Sequence, residues 1–290
     1  MTNKPGVREQ KRNLQRCSSI KIMELTILGS GGIEGIPKPC CSCKRCKEAR
    51  KKNGKFFRTG PSLFINSANA LIDTPEEIRT QLIKNDIQRV DAIFYTHWHP
   101  DHTMGVRIIE QINLDCRTYK PKNKPIDVYI SKDQLKLLDK FLIRKSVFNF
   151  YEKRGLMKLH FLKDRDKVSF GNIEVEAFEF PKSTAFYYLI KEKNKKVIYM
   201  PCEIKEIEEL DELKNSNYLI IHFSWWEKEK ICNTVPWREA EVPVERILEF
   251  AKNLKIRRIV FTHIDECHDK TYDELKKLEE KYREYNIKFA

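Results

Sequence analysis

The sequence predicts an αββα sandwich, a mixed α/β (α+β) fold with two sheets packed face to face and helices on both outer sides. Three observations lead there. Each strand-rich half of the chain is followed by helical periodicity. The last third alternates strand, helix, strand, helix. The 290 residues, 41% of them apolar and 11% aromatic, are enough to bury a substantial core.

The first convincing strand covers residues 24–28, directly after Met23. Gly29-Ser30-Gly31-Gly32 then turns the chain, without the spacing of a dinucleotide fingerprint and with no apolar helix behind it. Ser62–Ile65 and Ala70–Ile72 read as paired strands around the polar turn Asn66-Ser67-Ala68-Asn69. Residues 75–84 set Ile78 and Leu82 at helical spacing behind an acidic first turn. A short buried strand at 91–95, a helix at 105–112 and a strand at 128–130 follow. Residues 132–149 read as one helix with Leu135, Leu138, Phe141 and Leu142 on one face. From 168 to 200 strand follows strand, broken at Gly171-Asn172, Pro181 and Asn194. The chain ends with strand Tyr218–His222, a helix at 244–254, strand Ile259–Thr262 and a helix at 272–285.

Charge is unevenly spread. The net charge is +13, and residues 1–58 hold 15 Lys/Arg against 4 Asp/Glu. That excess could attract an anionic substrate or RNA, but it reads first as a solvated tail plus a basic helix. Residues 1–22 are read as a basic, disordered tail before one domain over 23–290. No apolar run is long enough to span a membrane, and no signal peptide is visible, so a cytoplasmic location is expected. In a reducing compartment, Cys40-Cys41-Ser42-Cys43-Lys44-Arg45-Cys46 reads as a metal knuckle within 38–60 and not as disulfides.

His97-Trp98-His99-Pro100-Asp101-His102 ends the apolar strand at 91–95. A turn leaving a sheet edge can converge side chains on one point, and imidazole nitrogen with carboxylate oxygen suits zinc. This His-x-His-x-Asp-His run resembles the signature of the metallo-β-lactamase superfamily. Asp73 and His263 resemble the aspartate that precedes that signature and the last metal histidine. The resemblance implies one or two catalytic metals, Zn²⁺ or Mn²⁺, and a metal-bound hydroxide as nucleophile. Leu28-Gly29-Ser30-Gly31-Gly32, Gly35-Ile36-Pro37 and Cys41-x-Cys43-x-x-Cys46 narrow it. They resemble the phosphoribosyl 1,2-cyclic phosphate phosphodiesterases, relatives of the tRNA-processing RNase Z. In that family three such cysteines hold a structural zinc with a histidine, so Cys267 or His268 is expected to join Cys41, Cys43 and Cys46.

The chain also departs from the family. Residues 180–186 lack a histidine expected there, and Cys202 stands where a bridging aspartate would be. Cys202 reads either as a thiolate ligand or as a small buried apolar residue. With it, Asp101, His102, Cys202 and His263 form a complete ligand set. His97 and His99 keep a half site that Lys182, Glu203, Glu241 or His222 could complete. Glu241, or Glu239, stands for a catalytic histidine; His222 could face the cleft or be a satisfied core residue; Lys182 could hold a phosphate oxygen or lie on the surface. Asp101, Glu241 and His222 are therefore the candidate catalytic groups. The resemblance implies a hydrolase acting on a small anionic, cyclic phosphodiester. The alternatives are an RNase Z-like nuclease acting on RNA, or a non-catalytic metal-binding relative such as the pyrroloquinoline-quinone biosynthesis member. No membrane partner is expected, and a homodimer stays open.

Overall fold

Short apolar runs pair into two sheets in the computed structural model, which describes residues 23–141, 147–204, 206–224 and 242–290. The first sheet begins with β1 (Leu25–Gly29), β2 (Ser62–Ile65), β3 (Ala70–Ile72) and β4 (Ala92–Phe94). A two-residue ribbon, β5 (Leu114–Asp115) with β6 (Lys120–Pro121), leads on to β7 (Ile126–Ser131) and β8 (Met157–Leu162). Its order is β1-β2-β3-β4-β7-β8, parallel from β3 onward. The second sheet holds β9 (Lys167–Phe170), β10 (Ile173–Glu179), β11 (Phe186–Glu192), β12 (Lys195–Met200), β13 (Tyr218–His222), β14 (Ile259–Thr262) and β15 (Ile287–Phe289). The first four of these form an antiparallel meander, and β12 to β15 run parallel.

Apolar side chains make three layers, as an αββα sandwich requires. Between the sheets lie Leu63, Ile65, Phe94, Ile190 and Val197, with Tyr188 and Tyr199. Fully burying a side chain such as Phe94 stabilises the fold by about 1.5–3 kcal/mol. Tyr188 satisfies its hydroxyl by donating to Tyr95 O at 2.6 Å. Outside the first sheet, α2 (Ile78–Lys84), α4 (Ile108–Asn113), α5 (Lys132–Phe141) and α6 (Val147–Lys153) contribute Ile78, Leu82, Ile109, Leu138 and Phe148 to a second layer. The third joins the second sheet to α7 (Val244–Asn253) and α8 (Tyr272–Lys281) through Ile247, Phe250, Phe261 and Leu275. The remaining α1 (Lys44–Lys52) belongs to the cysteine segment and α3 (Pro100–Thr103) to the histidine turn.

Of the helix expected over residues 132–149, both ends are helical, as α5 and α6, and 142–146 with Leu142 lie outside the described residues. The structure differs from the sequence reading in two places. The final helix stops at Lys281, and β15 follows, held by Phe289 N donating to Glu279 at 2.7 Å. Strand β8 went unread. Its six residues pair with β7, and that tertiary pairing makes an edge strand of a segment interrupted by Lys158 and His160. Residues 1–22, the expected tail, lie outside the described residues. No helix among the described residues is long and apolar enough to cross a membrane.

Candidate metal centre

The parallel strands β3, β4, β12, β13 and β14 end at one rim of the sandwich, where open α/β sheets bind ligands. Chain geometry at the rim is unusual. Asp73, Glu203 and His263, just past β3, β12 and β14, all have positive φ (64°, 57° and 51°). Such conformations in non-glycine residues gather at functional sites. After β4, His99 caps α3 with Pro100 at its first position, where the missing N–H costs nothing. Thr103 Oγ1 donates to His99 O at 2.9 Å and fastens the turn.

Asp73 organises the histidines from beneath. It is fully buried and accepts from Thr96 N at 2.8 Å, Thr96 Oγ1 at 2.7 Å and His102 Nδ1 at 2.8 Å. With its hydroxyl hydrogen given to Asp73, Thr96 Oγ1 accepts from His97 Nδ1 at 3.1 Å. Both rings are thereby fixed with Nδ1 as donor and Nε2 toward the rim. The Nε2 atoms of His97 and His102 and Oδ1 of Asp101 are buried without a hydrogen-bond partner. Cys202, just past β12, stands between two triads. Its sulfur and the ligand atoms of His97 and His99 lie within 4.8 Å of one another, and the same holds with His102 and His263. Asp101 Oδ2 sits 3.2 Å from His263 Nε2 and 3.4 Å from His102 Nε2. His222 reaches the same cleft, its ring 4.6 Å from that of His263.

Two anions stand among the histidines, and two of those rings, His102 and His263, are held protonated by them. Burial opposes an ionised Cys202, yet His263 and His97 hold its thiol well below the usual range. Burial likewise works against the Asp101 anion, but His102 and His263 keep it well below the carboxylate range. Burial lowers His97, leaving a neutral ring. His102 is driven up to about 10, burial being overcome by Asp101 and Asp73. Anionic sulfur and oxygen beside neutral His97, with His102 and His263 giving up a proton on binding, are a donor set that zinc suits, since ligands must be deprotonated. The residues present therefore fit the metal. A cavity of about 110 Å³ beside Asp101 is lined by Glu34, Glu76 and Glu77, so attraction for a phosphate cannot come from that wall.

The cysteine segment forms a second cluster. Cys43 caps α1, and its Sγ accepts from Cys46 N at 3.5 Å; that contact lowers the Cys43 thiol, while burial pushes Cys46 up to about 11. Glu266 completes the group, its Oε1 lying 4.0, 3.5 and 3.9 Å from Cys41, Cys43 and Cys46. The residues expected in this place, Cys267 and His268, are grouped instead with Asp265. The His268 ring lies tilted against Phe223, 4.4 Å between centroids, and burial lowers its pKa to about 3. The physical reason is a short 3-10 turn over Glu266–His268, which sends successive side chains in different directions.

Residues 68–264 match the sequence profile described as a beta-lactamase superfamily domain. The chain belongs to the beta-lactamase superfamily. Two curated relatives match it in part. An octanoyltransferase of Porphyromonas gingivalis is 32% identical over 85 residues, 29% of this chain and 17% of that protein. A ribonuclease Z of Thermococcus onnurineus is 28% identical over 189 residues, 64% of this chain and 52% of that protein. This superfamily member thus spans well under two thirds of either relative. Among solved structures, Zn²⁺-bound PqqB from Methylobacterium extorquens superposes with TM-score 0.72 at 17% identity, covering 92% of this chain and 97% of that one. A diphosphatase of the PhnP family gives 0.66 at 19% identity over 92% and 93%. These likenesses give the αββα metallo-β-lactamase fold.

Of the residues expected from sequence, the structure gathers His97, His99, Asp101, His102, Cys202, His222 and His263 at one rim, with Glu203 3.8 Å from His99. It does not bring Lys182 there. That side chain is exposed and paired with Glu206 at 2.8 Å, since the turn before β11 points outward. Glu239 and Glu241 lie outside the described residues. Sequence reasoning missed Thr96 and Asp265. Asp265 Oδ2 lies 3.6 Å from His263 Nδ1 and its Oδ1 accepts from Ile33 N at 3.1 Å. A Cβ on Gly32 would fall 1.6 Å from that Oδ1, which explains the glycine. The available signal was an aspartate two residues beyond the last histidine.

Proposed function

We propose that this protein is a metal-dependent phosphodiesterase acting on a small anionic, cyclic phosphodiester. One observation carries the reading: Cys202 is shared by two histidine pairs, so a single thiolate would serve two neighbouring cations. His97, His99 and Cys202 would hold one, and Asp101, His102, Cys202 and His263 the other. Zinc held at these positions would supply Lewis acidity toward a phosphoryl oxygen and would lower the pKa of bound water toward ~7; Mn²⁺ is the alternative. Asp73 orients His102 through the hydrogen bond to its Nδ1, the kind of outer partner that fixes a ligand's tautomer, and Asp265 stands 3.6 Å from His263 Nδ1 as a neighbouring charge. Asp101, held ionised and with Oδ1 buried and unpartnered, is suited to stay an anion beside the metal. His222 is the candidate donor to the leaving oxygen, with Glu241 as its alternative. Cys41, Cys43, Cys46 and Glu266 would hold a separate structural zinc.

Hydrolysis of bis(p-nitrophenyl) phosphate and of cyclic phosphates, with and without added Zn²⁺ or Mn²⁺, tests the reading beside an Asp101→Ala control. Turnover should rise with metal, because a loosely held ion fills by mass action, and should vanish in the control. No turnover of any ester from fully metallated protein would refute it. A second reading, cleavage of RNA, is favoured by the match to ribonuclease Z.

A further inference from the structure

The N-terminal ends of β7 and β8, opposite the metal centre, carry a surface that phosphodiester hydrolysis leaves unused. Residues 114–125 hold Arg117, Lys120, Lys122 and Lys124 against Asp115, and residues 147–158 hold Lys153, Arg154 and Lys158 against Glu152. All seven cations are exposed. Both carboxylates are engaged locally, Asp115 by Arg117 N and Thr118 Oγ1 at 2.9 and 3.1 Å, Glu152 by Leu159 N at 2.9 Å.

The two segments form one face. Buried Asn113 donates to Lys124 O at 3.1 Å and Leu156 O at 2.9 Å, and accepts from Asn123 N at 2.8 Å. Pro121 lies 3.5 Å from where a Cβ on Gly155 would stand, so the β5–β6 ribbon rests on the end of α6. In the middle, the Arg154 guanidinium lies 5.2 Å from the Tyr119 ring and 4.7 Å from the Phe150 ring. Those rings are 65% and 52% exposed.

We propose that this face docks single-stranded nucleic acid. Cations that track phosphates, interleaved with flat exposed rings on which bases stack, are what sequence-tolerant single-strand binders combine. An acidic protein would use the charges and leave the rings idle. A bilayer would need a continuous apolar face, and here Lys120 and Lys122 flank Pro121. Helix α4 and the turn before it separate the face from the histidine turn by ten residues, about 15 Å at helical rise. Docking there requires no cleavage at the metal centre.

The test measures anisotropy of a fluorescein-labelled 20-nucleotide oligo(U), and its deoxy counterpart, with the full chain across a salt series. For four to seven phosphate contacts, log K against log salt should fall with slope about −3 to −5, and R117S/K120S/K122S/R154S should flatten it by about 3. Y119A/F150A keeps those charges. It should weaken the oligonucleotide on the order of tenfold, leave the slope unchanged, and leave binding of inorganic polyphosphate unchanged. Circular dichroism checks that both variants fold, and both should retain wild-type turnover of bis(p-nitrophenyl) phosphate. Oligonucleotide binding that both folded variants retain in full would overturn the proposal. So would an equal loss of polyphosphate binding in Y119A/F150A, or capture of phosphatidylserine vesicles with no affinity for the oligonucleotide.

Discussion

Replacing Asp73 by Asn removes one charge and no volume, and its effect can be worked out atom by atom. The carboxylate accepts three hydrogen bonds, from Thr96 N, Thr96 Oγ1 and His102 Nδ1. An amide that keeps its oxygen toward Thr96 N turns its NH₂ toward the other two. Thr96 can adapt by accepting, because a hydroxyl does both. His102 can adapt only by moving its ring proton from Nδ1 to Nε2, the atom that must offer a lone pair to a metal. Losing a charge-assisted bond at a fully buried site should cost about 1.5–3 kcal/mol of stability. Losing a ligand's outer partner should weaken the metal 10–100-fold, or about 1.4–2.7 kcal/mol. Zinc retained against a graded chelator, read beside thermal melting of the same samples, measures both. An Asn variant that melts earlier yet holds zinc as tightly as wild type would refute the tautomer argument.

Cys202→Ser should lower metal content and phosphodiesterase activity together; full metal with full activity would make Cys202 a core residue only. Glu266→Gln should let a chelator strip one zinc from the cysteine cluster more easily while leaving the histidine rim loaded, measured by metal analysis after dialysis. Gly32→Ala should displace Asp265, because its Cβ would overlap Oδ1, and should lower metal affinity at His263 more than it lowers the melting temperature. Glu279→Gln tests the clamp on β15. Burial alone would raise this carboxyl, but Lys276, Phe289 N and Lys288 lower it below its ordinary 4.5. A lowered folded pKa contributes stability above the unfolded value and loses it as pH falls through the folded value. The wild type should therefore exceed the variant by about 1–3 kcal/mol near pH 7, and denaturant titrations should show the gap closing below pH 4.

Local pattern determined much of this protein. Ala92-Ile93-Phe94 had to be a buried strand, and the histidine turn at its end follows from a rigid strand meeting Pro100. Period-2 and period-3.6 runs likewise specified most of both sheets and the helices outside them, because each element buries its own apolar face. Tertiary structure decided what depends on distant segments meeting. Whether Cys202 lies in the core or between His97, His99, His102 and His263 is set by how β12 ends against β4 and β14. Glu266 faces the cysteines, and Cys267 and His268 do not, because a turn of three residues aims neighbours apart. Lys182 pairs with Glu206 outside the cleft for the same kind of reason. Strand β8 exists through its partner β7, and the basic face through the Asn113 knot that lays one segment on another. Periodicity reports which side of an element is buried; only packing fixes which buried sides face each other.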